Sequence, residues 1–191
     1  MKKKIIILES TVSIGKKTIK LIKKDKKNFD IKLLSTNKNI SEIIKQAKEF
    51  KVKNIIISNH SKFVEVKKKY KNLNINFYNS FSVLDKLFKK KELFYSMISI
   101  VGVDGLKPSL QLIKYSKNIA IVNKESIICG WNLIRKQLNK FKTNFIPIDS
   151  EHFSIYSLIK KNSNDLIDKV FITASGGPFL NSSFKKLKNI K

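Results

Sequence analysis

The chain has 191 residues, 42% of them hydrophobic and 28% charged, enough apolar content for one sizeable core and too much for a disordered tail. Forty Lys plus Arg against 14 Asp plus Glu give a formal net charge of +26, which on its face points to nucleic acid. Arg135 is the sole arginine, however, and nucleic-acid readers lean on arginine forks, so the dispersed lysines are read as compositional bias and no nucleic-acid partner is expected.

Cys129 is the only cysteine, which excludes an internal disulfide and a cysteine-rich zinc site and suggests a reducing compartment. At the start, basic residues precede four apolar ones before Glu9 interrupts, shorter than a signal-peptide core or a membrane span. The expectation is a soluble cytoplasmic protein with no membrane partner.

In chain order, short apolar runs predict strands at 4–8, 30–34, 54–58, 74–78, 97–101, 119–122 and 144–148, with one more at 171–174. Helical periodicity lies between them. After Ser13 it brings Ile14, Ile19 and Ile22 to one face, and over 41–50 it does the same for Ile43, Ile44 and Ala47. Longer patterns cover 108–115 and 126–141, the second placing Cys129 and Trp131 in the core, while His60 reads as a surface-loop residue. The lysine-rich patches at 23–27 and 67–71 read as solvated helix ends. This alternation is the rhythm of βαβ units, hence an α/β fold around a parallel sheet.

Glycine and proline gather just after strands, at Gly102, Gly105 and Pro108 and again at Gly176, Gly177 and Pro178. The first βα junction, from Leu8 through Glu9, Ser10, Thr11, Val12, Ser13 and Ile14 to Gly15, is a strand, a small-residue turn and a helix. Such a junction is where a dinucleotide rests its pyrophosphate on a helix N-terminus; a plain side-chain-capped helix is the competing reading. Three later segments also follow strand ends: Asn123-Lys124-Glu125-Ser126, Asp149-Ser150-Glu151-His152 and Ser175-Gly176-Gly177-Pro178-Phe179. In extended backbone Asp149 and Glu151 point the same way and could share a hard cation, although both could instead cap a following helix. Lys124 supplies a cation for a phosphate or alkoxide, Ser175 with the next two amides a small phosphate cradle, and His152 support for its neighbours.

Taken together with Asn37-Lys38-Asn39, which alone reads as a polar turn, and with Ile100-Val101-Gly102, these segments make the chain resemble the N-terminal part of the 1-deoxy-D-xylulose 5-phosphate reductoisomerase family. The resemblance implies a Rossmann-like doubly wound NADPH-binding domain over 1–148 and the start of an α+β catalytic domain over 149–191. It implies a metal-assisted rearrangement of a sugar phosphate followed by NADPH reduction to 2-C-methyl-D-erythritol 4-phosphate, in non-mevalonate isoprenoid biosynthesis. By position, Thr11, Val12, Ser13 and Ile14 would line the cofactor's pyrophosphate, and Asn37, Lys38 and Asn39 its adenosine 2'-phosphate. Asn123 and Glu125 would also touch cofactor. Lys124, Ser150, Glu151 and Ser175 would meet substrate, with Lys124 and Glu151 in the catalytic group and Asp149 and Glu151 on magnesium or manganese. The family forms homodimers.

Relatives carry glycine where this chain has Glu9 and Val12, so Val12 is expected to resist a positive φ, and both to weaken NADPH binding. The resemblance also implies that the lid, a third metal ligand, the rest of the phosphate site and a C-terminal helical domain lie beyond Lys191. The 191 residues are accordingly read as the cofactor-binding domain and the opening of the catalytic domain of a reductoisomerase, with an inactive remnant or one half of a split enzyme as the alternatives.

Overall fold

The computed structural model describes residues 1–148, 150–161 and 167–171. Two compact units result, Met1–Asp149 and Ser150–Lys191.

In the first unit the elements run β1 (Lys3–Leu8), α1 (Ser13–Lys24), β2 (Phe29–Thr36), α2 (Ile40–Phe50), β3 (Asn54–Ile57), α3 (His60–Lys69) and β4 (Asn76–Tyr78). They continue with a 3-10 turn (Phe81–Val83), α4 (Leu84–Leu87), β5 (Leu93–Ile98), a second 3-10 turn (Val103–Gly105), α5 (Leu106–Ile113), β6 (Ser116–Ile121), α6 (Lys124–Phe141) and β7 (Asn144–Pro147). The seven strands form one sheet in the order β4-β3-β2-β1-β5-β6-β7, and every neighbouring pair is parallel. This is the doubly wound, Rossmann-like α/β architecture expected from the sequence.

Strand order reverses between β1 and β5, so the crevice beyond their C-terminal ends is the topological switch point where open α/β sheets bind ligands. A parallel sheet covered on both faces needs strands apolar on both faces, which is why β1 reads Ile5-Ile6-Ile7-Leu8 without alternation. Ile6 and Leu8 enter one core with Leu33, Ile98 and Ile134; Ile5 and Ile7 enter the other with Ile31, Leu34 and Ile43.

Several local expectations are revised. β5 begins at Leu93 rather than at residue 97 and ends at Ile98, because the apolar run carries on past the strand into Ile100 and an exposed Val101. Residues 60–69 form α3, so His60 opens a helix instead of lying in a loop; it is exposed, and its Nδ1 lies 2.9 Å from Asn79 Oδ1. Cys129 and Trp131 are not core residues. The buried stripe of α6 is Ser126, Gly130, Ile134 and Leu138, a four-residue spacing that turns Cys129 and Trp131 away; Cys129 is exposed, and Trp131, 39% exposed, stands edge-on to Phe145.

In the second unit the described residues form α7 (Ser150–Lys161) and a segment without regular structure over 167–171. Phe171, expected to start a strand, lies in that segment and is exposed; residues 172–174 lie outside the described residues. No helix among the described residues is long and apolar enough to cross a membrane.

Candidate functional site

The C-terminal edge of the sheet gathers the turn after β1, the loop after β2, and the ends of β5 and β6. Hydrogen bonds fasten the first two together. Ser10 N–H donates to Ser35 O at 3.0 Å and Glu9 N–H to Ser35 Oγ at 2.9 Å. The Thr11 and Thr36 hydroxyls meet at 2.8 Å, and Thr36 Oγ1 also accepts from Asn39 N–H at 3.3 Å. Ser10 Oγ donates to Gln46 Oε1 at 2.6 Å, and Gln46 Nε2 returns a bond to Ser10 O at 3.2 Å, tying α2 to the turn.

Above this turn α1 begins at Ser13 with Val12 in the N-cap position and no side-chain cap, whereas Asn39 caps α2 and Asn59 caps α3. The side-chain-capped alternative for the first junction is therefore not what the chain adopts. Gly15 brings α1 against the turn: a Cβ there would land on the Glu9 carbonyl oxygen and stand 2.7 Å from Ser10 Cα. Of the glycine positions the fingerprint demands, this close helix approach is the one retained.

Val12 does not take up a positive φ. Its φ of −83° with ψ 171° is ordinary extended backbone, so it carries no strain, and its side chain is half-buried. Glu9 behaves differently. It adopts φ 56°, the left-handed region that glycine tolerates best, and is 8% exposed. Burial lifts its carboxyl from the ordinary 4.5 to about 7, while a hydrogen bond from the Asn37 backbone pulls the other way.

The other expected cofactor residues divide by what they already bond. The Thr11 hydroxyl is buried and engaged with Thr36, and Asn39 Oδ1 is spent on the Glu42 amide as the α2 cap at 3.3 Å. Asn37 and Lys38 are exposed in the loop, Ser13 is exposed at the start of α1, and Ile14 is half-buried against the core. Lys124 and Glu125 occupy the first turn of α6 and are exposed.

At the far side of the switch point Asn123 lies just past β6, in the N-cap position of α6. Its Nδ2 donates to Gly102 O at 2.5 Å and to Ser126 Oγ, while its buried Oδ1 has no partner among the described residues. Gly105 packs against this amide so closely that a Cβ would stand 2.9 Å from Asn123 Nδ2. On the neighbouring strand Ser99, buried just past the end of β5, also has an unpartnered Oγ, while its N–H extends the ladder to Leu8 O at 3.0 Å. Unpaired buried polar atoms are costly, so two at adjacent strand ends suit a ligand that supplies their partners. Ser99 is missing from the sequence-derived set, because a serine inside an apolar run gives no periodic signal.

Of the expected substrate and metal residues, Ser150 and Glu151 open α7, so the extended-backbone argument for a shared cation between Asp149 and Glu151 does not hold. Asp149, Ser175 and the side chains of Ser150 and Glu151 lie outside the described residues. Among the described residues no cluster of three His, Cys, Asp or Glu side chains could hold a metal ion.

The model of the 1-deoxy-D-xylulose 5-phosphate reductoisomerase family matches residues 5–130, and that of the family's C-terminal domain matches 145–191. This chain belongs to the 1-deoxy-D-xylulose 5-phosphate reductoisomerase family. It is 53% identical over 189 residues to the reductoisomerase of Pelagibacter ubique, covering 98% of this chain and 49% of that relative. Against the reductoisomerase from Wolbachia pipientis of Culex pipiens it is 37% identical, covering 98% of this chain and 48% of the relative. The chain thus spans about half the length of the curated reductoisomerases it matches.

Among solved structures, the Zymomonas mobilis reductoisomerase in complex with NADPH is similar with a TM-score of 0.84 at 26% identity, covering 100% of this chain and 50% of that one. A reductoisomerase in complex with NADPH, fosmidomycin and magnesium gives a TM-score of 0.80, again at 26% identity, covering 98% of this chain and 49% of that one.

Proposed function

We propose that this chain contributes the dinucleotide-binding domain and the opening of the catalytic domain of an enzyme that converts 1-deoxy-D-xylulose 5-phosphate to 2-C-methyl-D-erythritol 4-phosphate. The observation that carries this reading is the family match over both 5–130 and 145–191. Support also comes from the tethered turn after β1, the uncapped start of α1, and the unpartnered Ser99 and Asn123 atoms, which together fit a dinucleotide laid across the switch point. The reductoisomerases of similar structure are in complex with NADPH and with magnesium.

In this reading NADPH supplies the hydride, and a divalent ion, magnesium or manganese, chelates the sugar's oxygens. Ser13 and Ile14 present backbone amides to the pyrophosphate at the head of α1, with Val12 and Thr11 shaping the turn beneath. Lys38 offers its cation to the adenosine 2'-phosphate beside Asn37 and Asn39. Asn123 and Glu125 face the nicotinamide end, with the Asn123 carboxamide held in place by Gly102 and Ser126. Lys124 balances charge on the substrate, which Ser150 and Ser175 anchor, and Asp149 and Glu151 hold the metal. The setting is the cytoplasm, the partner a sugar phosphate, and the assembly a homodimer, as the family resemblance implies.

The test is titration of the purified chain with NADPH, followed by fluorescence at low and moderate salt with NADH as control. Saturable binding that persists at moderate salt is expected. A response that never saturates and vanishes with salt would overturn the reading in favour of an electrostatic surface.

A further inference from the structure

We propose that the edge of the sheet opposite the candidate site is a docking surface for an anionic lipid bilayer, engaged through lysines. Because neighbouring strands are parallel throughout, all seven start at this edge and every helix-to-strand turn lies along it. The six such turns, 25–28, 51–53, 70–75, 88–92, 114–115 and 142–143, carry ten lysines and two carboxylates. The six connections leaving strand ends at the other edge are 9–12, 37–39, 58–59, 79–80, 99–102 and 122–123, and they carry one lysine, Lys38, and one carboxylate, Glu9.

Two simpler causes do not produce this asymmetry. A compositional bias toward lysine acts on exposed turns at both edges alike. Helix dipoles favour a cation in the last turn, but α1, α2, α3 and α6 each already hold lysine there, within the helix, and the turn lysines are additional. Dispersed along the sequence, the lysines are gathered in space. The two carboxylates are already engaged: Asp25 accepts from Asn28 Nδ2 at 2.8 Å, and Glu92 pairs with Lys4 at 2.7 Å. Eight of the ten lysines are exposed; the half-buried Lys91 donates to Ser116 O and Thr143 Oγ1, and the half-buried Lys114 pairs with Asp85.

The shape of the array favours a plane. Seven strand starts at the usual spacing make a row about 29 Å long. Five of the lysines follow α1, α2 and α3, which pack on one face of the sheet, and five follow α4, α5 and α6, which pack on the other. The charges therefore flank the row evenly, as a plateau suited to a bilayer's plane of phosphates, to which attraction is diffuse and needs only ammonium groups. A nucleic acid is gripped along a line, and its readers draw on arginine, of which Arg135 of α6 is the sole example. The expectation of no membrane partner came from the lack of a spanning segment, which a surface contact does not require. Docking by this edge leaves the candidate site facing away from the lipid.

The experiment measures co-sedimentation of the full chain with vesicles of phosphatidylcholine alone and with about 30% phosphatidylserine, at about 0.1 M and about 0.5 M salt. Two triple variants of equal net charge are compared, with circular dichroism confirming the fold. One reverses turn lysines (K27E, K53E and K89E); the other reverses exposed lysines within helices (K45E, K107E and K136E). The parent should bind the anionic vesicles alone, and release them at the higher salt. The turn variant should bind at least about tenfold more weakly than the parent, and the helix variant within about threefold of it. Equal weakening in both variants would overturn the edge as the site, and no binding of the parent to anionic vesicles would overturn the proposal outright. Tighter binding of the parent to a DNA duplex of about 30 base pairs at the same salt, with the same loss in the turn variant, would overturn the lipid surface in favour of nucleic acid.

Discussion

The hydroxyls of Thr11 and Thr36 lie 2.8 Å apart, joining the turn after β1 to the last residue of β2. Both are buried; the Thr11 hydroxyl relies on Thr36 for its partner, while Thr36 Oγ1 also accepts from Asn39 N–H. Thr11→Val or Thr36→Val alone should cost about 1–3 kcal/mol, read as a lower urea midpoint. The double variant should cost clearly less than the sum, because no orphaned hydroxyl remains facing a methyl group. Additive losses would show that the pair does not interact.

Gly15→Ala should destabilise the first unit by about 2 kcal/mol, with a depressed thermal midpoint. Its Cβ would meet the Glu9 carbonyl and the Ser10 backbone, atoms of the main chain that cannot swing aside. The same substitution should displace α1 from the turn and lower dinucleotide affinity. Loss of stability without loss of affinity would separate packing from binding at this junction.

The pH dependence contributed by Glu9 has a definite sign. Its folded carboxyl titrates at about 7 against an ordinary 4.5, so between those values the folded chain holds a proton that the unfolded chain has released. Stability from this group is intact below about 4.5 and declines as pH rises through about 7, by about 3 kcal/mol at most. Glu49, Glu65, Asp85 and Glu92 are lowered by lysine or tyrosine partners and act oppositely, losing stability as pH falls. The informative quantity is the difference between parent and Glu9→Gln, which should widen from pH 5 to 8 in chemical denaturation; a flat difference refutes it.

Ile6→Ala and Ile7→Ala should each cost about 2–5 kcal/mol by urea unfolding, although adjacent strand residues point to opposite faces. Ile6 and Ile7 are both buried, one in each core. A strand with one wet face would lose stability at only one of the two positions.

Much of the architecture was legible because a doubly covered parallel sheet writes its strands as unbroken apolar runs, as in Ile5-Ile6-Ile7-Leu8 and Asn54-Ile55-Ile56-Ile57. The same property blurred the bounds of β5, whose run passes beyond its end to Val101. Cys129 and Trp131 were misplaced because an apolar residue inside a helical pattern is core only if it falls on the stripe, here set by Gly130, Ile134 and Leu138. At the candidate site, Glu9 was visible as an odd residue in a glycine position, but its burial and the bond from its N–H to Ser35 Oγ depend on β2 lying beside β1. Ser99 was invisible for a like reason, since what marks it is an absent partner.

The apolar uniformity of β1 leaves a problem that the polar straps solve. In a strand with one wet face, a slip of one residue exposes the apolar set and is rejected at once. Ile5 through Leu8 could slide by one position and still be greasy on both sides, so burial alone says little about alignment. Alignment is enforced instead by bonds that only one pairing completes: Glu9 and Ser10 on Ser35, and Thr11 on Thr36. The edge that reads as the cofactor site is therefore also the lock on strand register, so mutational drift there would be filtered by folding fidelity even in a chain that performs no chemistry.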